Sequence, residues 1–101
     1  MVAILQDKSE AIAELCARHG VARLEVFGSV LRDDFCPGDS DIDLLVEFGP
    51  HDGYALVDAY FGLLEGLRAL LGEVDLVMAD AVKNRYIARE IERTKQLLYA
   101  A

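Results

Sequence analysis

The sequence predicts an α/β (α+β) domain, a small mixed sheet with helices packed mainly on one face. Segments whose apolar residues recur every three or four positions predict helices, and short apolar or alternating segments between turn signals predict strands. Along the 101 residues these segments follow the order helix, strand, strand, helix, strand, helix. The length supports one domain over residues 1–101, whose small core would gain stability by pairing with a second copy or another protein.

The first half of the chain contains one predicted helix and two predicted strands. The helix covers residues 7–19 and is ended by Gly20. Residues 21–27 alternate apolar with charged side chains, which is typical of a half-buried strand. Residues 41–48 follow a turn signal at residues 37–40, and the apolar later part of this strand predicts a central place in the sheet.

The second half is predicted to add two helices around a third strand. Residues 53–71 form a long amphipathic helix ended by Gly72, residues 74–78 a strand, and residues 81–93 a helix. The tail at residues 96–99 is apolar enough to dock on the domain.

The long helix is expected to pack through one apolar stripe. Its residues recur at three- and four-residue steps: Val57, Tyr60, Phe61, Leu64, Leu67 and Leu71. Gly62 and Gly66 weaken the helix and are interpreted as sites of close packing on the sheet.

Charge is distributed unevenly along the chain. The formal net charge is −8, with −11 in residues 1–80 and +3 in residues 81–101. Residues 33–52 contain seven acids and no base, so water or a cation must offset their repulsion. Binding of a long nucleic-acid duplex is not expected, because it needs many Lys and Arg contacts.

The sequence gives no indication of export or of membrane insertion. It has no uncharged 18-residue stretch, and its N-terminus lacks a basic region followed by a long apolar run. Two cysteines, Cys16 and Cys36, do not make the disulfide framework of small secreted domains. A cytoplasmic location is therefore expected.

Gly28-Ser29, directly after the first strand, is a candidate phosphate-binding turn. Exposed backbone N–H groups and a serine hydroxyl at the start of a helical turn suit a phosphate oxygen. An ordinary turn explains the same two residues, so this motif alone does not decide the function.

Three aspartates at or within predicted strands are candidate metal ligands. Asp41 and Asp43 are two residues apart, so their side chains project to the same face of a strand. Asp75 lies within an otherwise apolar strand and joins them if the two strands are neighbours. Three carboxylates suit Mg²⁺ or Mn²⁺, whereas the alternatives are a hydrated loop end and a solvent-facing strand residue.

Other metal and phosphate motifs do not fit. A calcium loop beginning at Asp39 would need glycine and glutamate where Leu44 and Pro50 stand. The cysteines and histidines lack the paired spacing of a zinc site, and no Lys-Ser or Lys-Thr follows a glycine-rich turn.

Together the motifs resemble those of the polymerase-β-like nucleotidyltransferases, in particular the minimal nucleotidyltransferases. The resemblance rests on Phe-Gly-Ser at residues 27–29, Ser-Asp-Ile-Asp-Leu-Leu-Val at 40–46 and Val-Asp-Leu-Val at 74–77. It spans about residues 20–100, including the ending at residues 91–99. It implies the nucleotidyltransferase fold and transfer of a nucleoside monophosphate from an NTP.

The resemblance implies a role for each matching residue. Gly28 and Ser29 would hold the terminal phosphates, with Arg32 matching the arginine of the family pattern. Leu31 and Asp33 replace the small residue and the glycine that usually flank this arginine.

The same resemblance implies a catalytic site with two metal ions. Asp41 and Asp43 would hold the Mg²⁺ that bridges the phosphates of ATP, and Asp75 would complete the site of a second ion that activates the acceptor hydroxyl. Mn²⁺ is an alternative metal.

Minimal nucleotidyltransferases that this sequence resembles are commonly antitoxins of HEPN ribonuclease toxins. The resemblance therefore implies transfer of AMP from ATP to a toxin tyrosine. Two alternatives remain: an antitoxin that neutralises only by binding, and transfer to a small molecule. Contacts for a binding-only antitoxin could come from the basic tail, which comprises Lys83, Arg85, Arg89, Arg93 and Lys95.

Overall fold

The computed structural model describes residues 3–28 and 42–101. Its elements are α1 (Ala3–Asp7), α2 (Ser9–Arg18), β1 (Val21–Phe27), β2 (Ile42–Phe48), α3 (Gly53–Leu71), β3 (Val74–Met78), a 3-10 turn (Ala79–Ala81), α4 (Arg85–Thr94) and β4 (Gln96–Ala100). Within the described ranges, no helix is long and apolar enough to cross a membrane.

The four strands form one mixed sheet in the order β3-β2-β1-β4. β1 pairs antiparallel with both β2 and β4, whereas β2 and β3 are parallel and joined by α3. The predicted mixed sheet and the central place of β2 are therefore confirmed.

The main core lies between one face of the sheet and helices α2 and α3. Alternate strand residues, such as Leu24 on β1 and Leu44 on β2, point to this α2/α3 face and are completely buried. Leu63 and Leu67 of α3 and Ile12 of α2 pack against them. Because strand side chains alternate, the remaining strand residues project from the opposite face.

Helix α4 covers part of that opposite face, which is called the α4 face below. Ile91 of α4 is buried and lines a cleft together with Leu45 of β2. Glu25, a charged residue of an alternating strand, is only 5% exposed there, with Arg23 Nε at 3.2 Å and Lys95 Nζ at 3.5 Å. Two cations therefore compensate a carboxylate that the alternation alone would place in water.

The C-terminal part of the chain differs from the predicted elements. The tail forms the edge strand β4, which pairs with β1. Helix α4 begins at Arg85 rather than at residue 81, because the side chain of Asn84 accepts hydrogen bonds from the N–H groups of Tyr86 and Ile87.

The predicted apolar stripe of α3 was partly wrong. Val57 and Phe61 are exposed, and the buried side chains are those of Ala59, Leu63, Leu67 and Leu71. Close packing at the two glycines of this helix is confirmed, but its partner is α2 rather than the sheet. A Cβ at Gly62 would meet His19, and one at Gly66 would meet Leu15.

Candidate active site

Two of the predicted metal ligands lie directly opposite each other on neighbouring strands. The parallel register of β2 and β3 pairs Asp43 with Asp75, and the antiparallel register of β1 and β2 pairs Phe27 with Asp43. Neighbouring strands are roughly 5 Å apart, so the two carboxylates are within reach of one cation. The two strands are neighbours, which is the condition under which Asp75 joins Asp43.

Both aspartates project from the α4 face of the sheet. The residues that flank them, Ile42 and Leu44 on β2 and Val74 on β3, are buried in the core on the other face. Asp43 is half-buried and Asp75 is exposed. A cation held there could therefore contact both protein oxygens and a ligand from solvent.

Gly28 brings the end of β1 close to this carboxylate pair. Its φ of +77° is a conformation that favours glycine, and a Cβ built there would lie 2.6 Å from Oδ2 of Asp43. Gly28, the first residue of the predicted phosphate-binding turn, therefore lies next to Asp43.

The other predicted site residues, Ser29, Arg32 and Asp41, lie outside the described residues. Within residues 3–28 and 42–101, no group of three or more His, Cys, Asp or Glu side chains could hold a metal. The described part of the site is thus the carboxylate pair of Asp43 and Asp75 beside Gly28. Carboxylate oxygens are the donors that Mg²⁺ and Mn²⁺ prefer.

Sequence reasoning missed a cleft between α4 and the sheet. The next row of side chains on the α4 face after the aspartates pairs Glu25, Leu45 and Val77 across three strands. Leu45 forms part of the floor of the cleft, whose volume is about 420 Å³, and Ile91 of α4 lies among its other walls. The apolar spacing of α4 indicated a packing side but not which face of the sheet it would contact.

The cysteine and the two histidines of the described residues are other possible metal ligands, but each is engaged in the fold. Burial raises the pKa of the Cys16 thiol to about 12, so this group stays protonated at neutral pH. His19 and His51 bond through Nδ1 to the carbonyl oxygens of Leu15 and Gly49, respectively.

The basic tail is partly engaged within the chain. Arg93 Nη2 lies 2.7 Å from Glu90, and Lys95 Nζ lies 2.8 Å from Glu92. Lys83, Arg85 and Arg89 are exposed to solvent.

Comparison with known proteins identifies the family. The sequence profile described as "Nucleotidyltransferase domain" matches residues 8–98. The chain belongs to this nucleotidyltransferase family. A protein of Methanocaldococcus jannaschii, provisionally named a protein adenylyltransferase, is 40% identical over 83 residues, covering 81% of this chain and 79% of that protein. The chain is thus a nucleotidyltransferase, of a family that uses a nucleoside triphosphate and a divalent metal ion.

Solved structures show the same fold. A protein provisionally described as a minimal nucleotidyltransferase superposes with a TM-score of 0.74 at 36% identity, over 91% of this chain and 90% of that chain. A Shewanella oneidensis complex described as a tri-AMPylated HEPN toxin with an MNT antitoxin gives 0.61 at 20% identity, over 96% and 73%. A toxin–antitoxin structure with AMP-PNP gives 0.64 at 21% identity, over 92% and 73%. The nucleotidyltransferase fold predicted from the motifs is therefore confirmed.

Proposed function

We propose that this nucleotidyltransferase moves AMP from ATP to a tyrosine hydroxyl of a HEPN-type toxin, with Mg²⁺, and so acts as an antitoxin. The observation that carries the proposal is the register that sets Asp43 opposite Asp75 beside Gly28. A partly exposed carboxylate pair beside Gly28, the first residue of the predicted phosphate-binding turn, would suit a metal-bound triphosphate.

The aspartates are proposed to form the metal site together with Asp41. Asp43 and Asp41 would hold the ion that contacts the triphosphate, and Asp75 would share the second. Bound divalent ions supply charge neutralisation and a lowered pKa of the acceptor hydroxyl. Mn²⁺ has the same donor preference and is an alternative to Mg²⁺.

The chain's own part in the reaction is positioning. Gly28, Ser29 and Arg32 would hold the terminal phosphates so that the α-phosphorus faces the acceptor. The acceptor oxygen then bonds to the α-phosphorus, the bond to the bridging oxygen breaks, and pyrophosphate leaves with that electron pair. The hydroxyl proton passes to water. Because the acceptor oxygen attacks the α-phosphorus directly, no covalent enzyme intermediate is needed.

A protein acceptor is supported by two relatives. The Methanocaldococcus jannaschii relative is named as a protein adenylyltransferase, and one structural neighbour is an MNT antitoxin in complex with an AMPylated HEPN toxin. We propose that the acceptor of this chain is likewise a protein.

Incubation with α-labelled ATP, Mg²⁺ and a purified HEPN-type protein that binds this chain tests the proposal. Label is expected on one or more tyrosines of that protein and is expected to be absent when EDTA replaces Mg²⁺. A toxin that stays unlabelled under conditions in which it binds this chain would contradict the proposal.

Assays of toxin binding and toxin neutralisation separate catalysis from neutralisation by binding alone. The double variant Asp41→Asn and Asp43→Asn is expected to bind the toxin but no longer to neutralise it. Full neutralisation by this variant would instead support the binding-only antitoxin, for which the exposed Lys83, Arg85 and Arg89 provide contacts.

A further inference from the structure

Helix α3 presents an apolar stripe that nothing in the described chain covers. Tyr54, Val57 and Phe61 are 90%, 52% and 61% exposed and follow one another at three- and four-residue steps. The stripe borders a groove of about 430 Å³ at the β3 edge of the sheet. The groove is lined by Leu56, Val57, Tyr60, Phe61, Leu76, Val77, Met78 and Ala81. Single exposed apolar residues are ordinary, but a stripe continuous with an apolar groove is typical of an interaction site.

The groove includes a residue of the strand that carries Asp75. Val77 lines it and is two residues from Asp75 on the same strand and the same face. Two strand residues span roughly 7 Å. A molecule seated in the groove therefore contacts the strand that carries Asp75, two residues further along.

Two carbonyls of the sheet edge at the groove are already hydrogen-bonded to side chains of α3. Because Ile42 N–H bonds to the Glu73 carbonyl, the next carbonyls pointing away from β2 are those of Val74 and Leu76. The Tyr60 hydroxyl donates to Leu76 O at 2.5 Å and Arg68 donates to Val74 O at 3.5 Å. Strand addition at this edge would lose those two bonds, so an occupant that binds through side chains, as an amphipathic helix does in an apolar groove, suits it better.

The charge around the groove favours a basic occupant. Residues 42–80 contain eight acids and one base, Arg68. Exposed acids stand on both elements that form the groove: Asp58 and Glu65 on α3, and Asp75 on β3. Opposite charge on a partner would favour association and its orientation.

We propose that this α3/β3 groove is the docking site for an amphipathic helix of the acceptor protein that carries lysine or arginine beside its apolar residues. This rests on the proposed function, in which the acceptor is a protein. Docking there holds the acceptor at the strand that carries Asp75, so it determines which protein is modified.

The test compares two equally simple surface substitutions. Phe61→Glu places a charge in the groove, and Ile87→Glu, at a side chain that is 53% exposed on α4, is the matched control. Calorimetry with the purified HEPN-type acceptor is expected to show binding weakened about tenfold or more by Phe61→Glu and unchanged by Ile87→Glu. If Phe61→Glu unfolds below the assay temperature, Val57→Glu is the second groove variant. The double variant Asp58→Lys and Glu65→Lys, which reverses the charge beside the groove, is also expected to weaken binding.

The outcomes separate the groove from the reaction. If the groove variants bind and label the acceptor as the wild type does, the groove is not the docking site, and the proposed function is unaffected. If the wild-type chain binds the acceptor without labelling it, and the groove variants do not bind, the proposed reaction is wrong but the groove is still the docking site. A third outcome concerns a second copy of the chain. If the wild-type chain sediments as a dimer, Phe61→Glu makes it a monomer and both forms bind the acceptor equally, the groove is a dimer interface and the proposal is overturned.

Discussion

Replacing Asp43 or Asp75 with asparagine is expected to lower the rate of AMP transfer by roughly 10³-fold. Asparagine keeps the shape of the side chain but removes the charge that a divalent ion requires. The charge stabilisation supplied by a bound metal is worth several kcal/mol, and each 1.4 kcal/mol is about tenfold in rate. Single-turnover transfer of label from ATP to the acceptor measures the effect.

Glu47→Gln is the matched control for these two substitutions. Glu47 lies on β2 with Asp43, on the same face of the sheet, and is exposed. The same change of charge there should leave the transfer rate within about twofold, since surface charges act weakly at a distance. Equal loss in all three variants would show that the effect is one of general surface charge.

Replacing Gly28 with alanine is expected to lower activity by roughly 100-fold and to destabilise the fold only slightly. The left-handed backbone disfavours alanine by about 1 kcal/mol. The added Cβ would also lie 2.6 Å from Oδ2 of Asp43 and must displace that carboxylate. A misplacement of about 1 Å in a catalytic group can cost about 100-fold in rate. Thermal unfolding and the transfer assay measure the two effects separately.

Gly72→Ala separates strain from displacement. Gly72 has a similar φ of +88°, but a Cβ there meets nothing within 4 Å. Both variants should lose stability, since both glycines have a positive φ, whereas only Gly28→Ala should lose activity. Equal activity in both would contradict a role for the contact between Gly28 and Asp43.

The strands and helices that could be predicted were those with an unambiguous local pattern. β1 and β3 have the predicted bounds, and α3 covers residues 53–71 as expected. β4 was missed because Gln96–Ala100 shows no alternation, and its strand conformation depends on pairing with β1, which is distant in sequence.

Periodicity located α3 but did not identify its buried face. The helix is rich in apolar residues around most of its circumference, so two stripes have helical spacing. Packing against α2 and the sheet selects the stripe that contains Leu63 and Leu67, and leaves Val57 and Phe61 in solvent. Similarly, the burial of Glu25 depends on Arg23 and Lys95, a pairing across strands that no local pattern contains.

For the candidate site, the sequence supplied the residues and the fold supplied their arrangement. The two-residue spacing placed Asp43 on one face of its strand, but only the parallel register of β2 and β3 sets it opposite Asp75. The contact between Gly28 and Asp43 likewise required the antiparallel pairing of β1 and β2. The roles of Ser29, Arg32 and Asp41, which lie outside the described residues, stay predictions from the motif.

The most direct measurement of the proposed metal site is calorimetric titration of the chain with ATP, in Mg²⁺ and in EDTA. Binding is expected only with the metal ion, because an acidic surface repels a triphosphate unless a cation stands between them. Asp43→Asn should weaken that binding about tenfold or more, and Glu47→Gln should leave it unchanged. Equal affinity for ATP in EDTA, or wild-type affinity in Asp43→Asn, would contradict a metal site at Asp43.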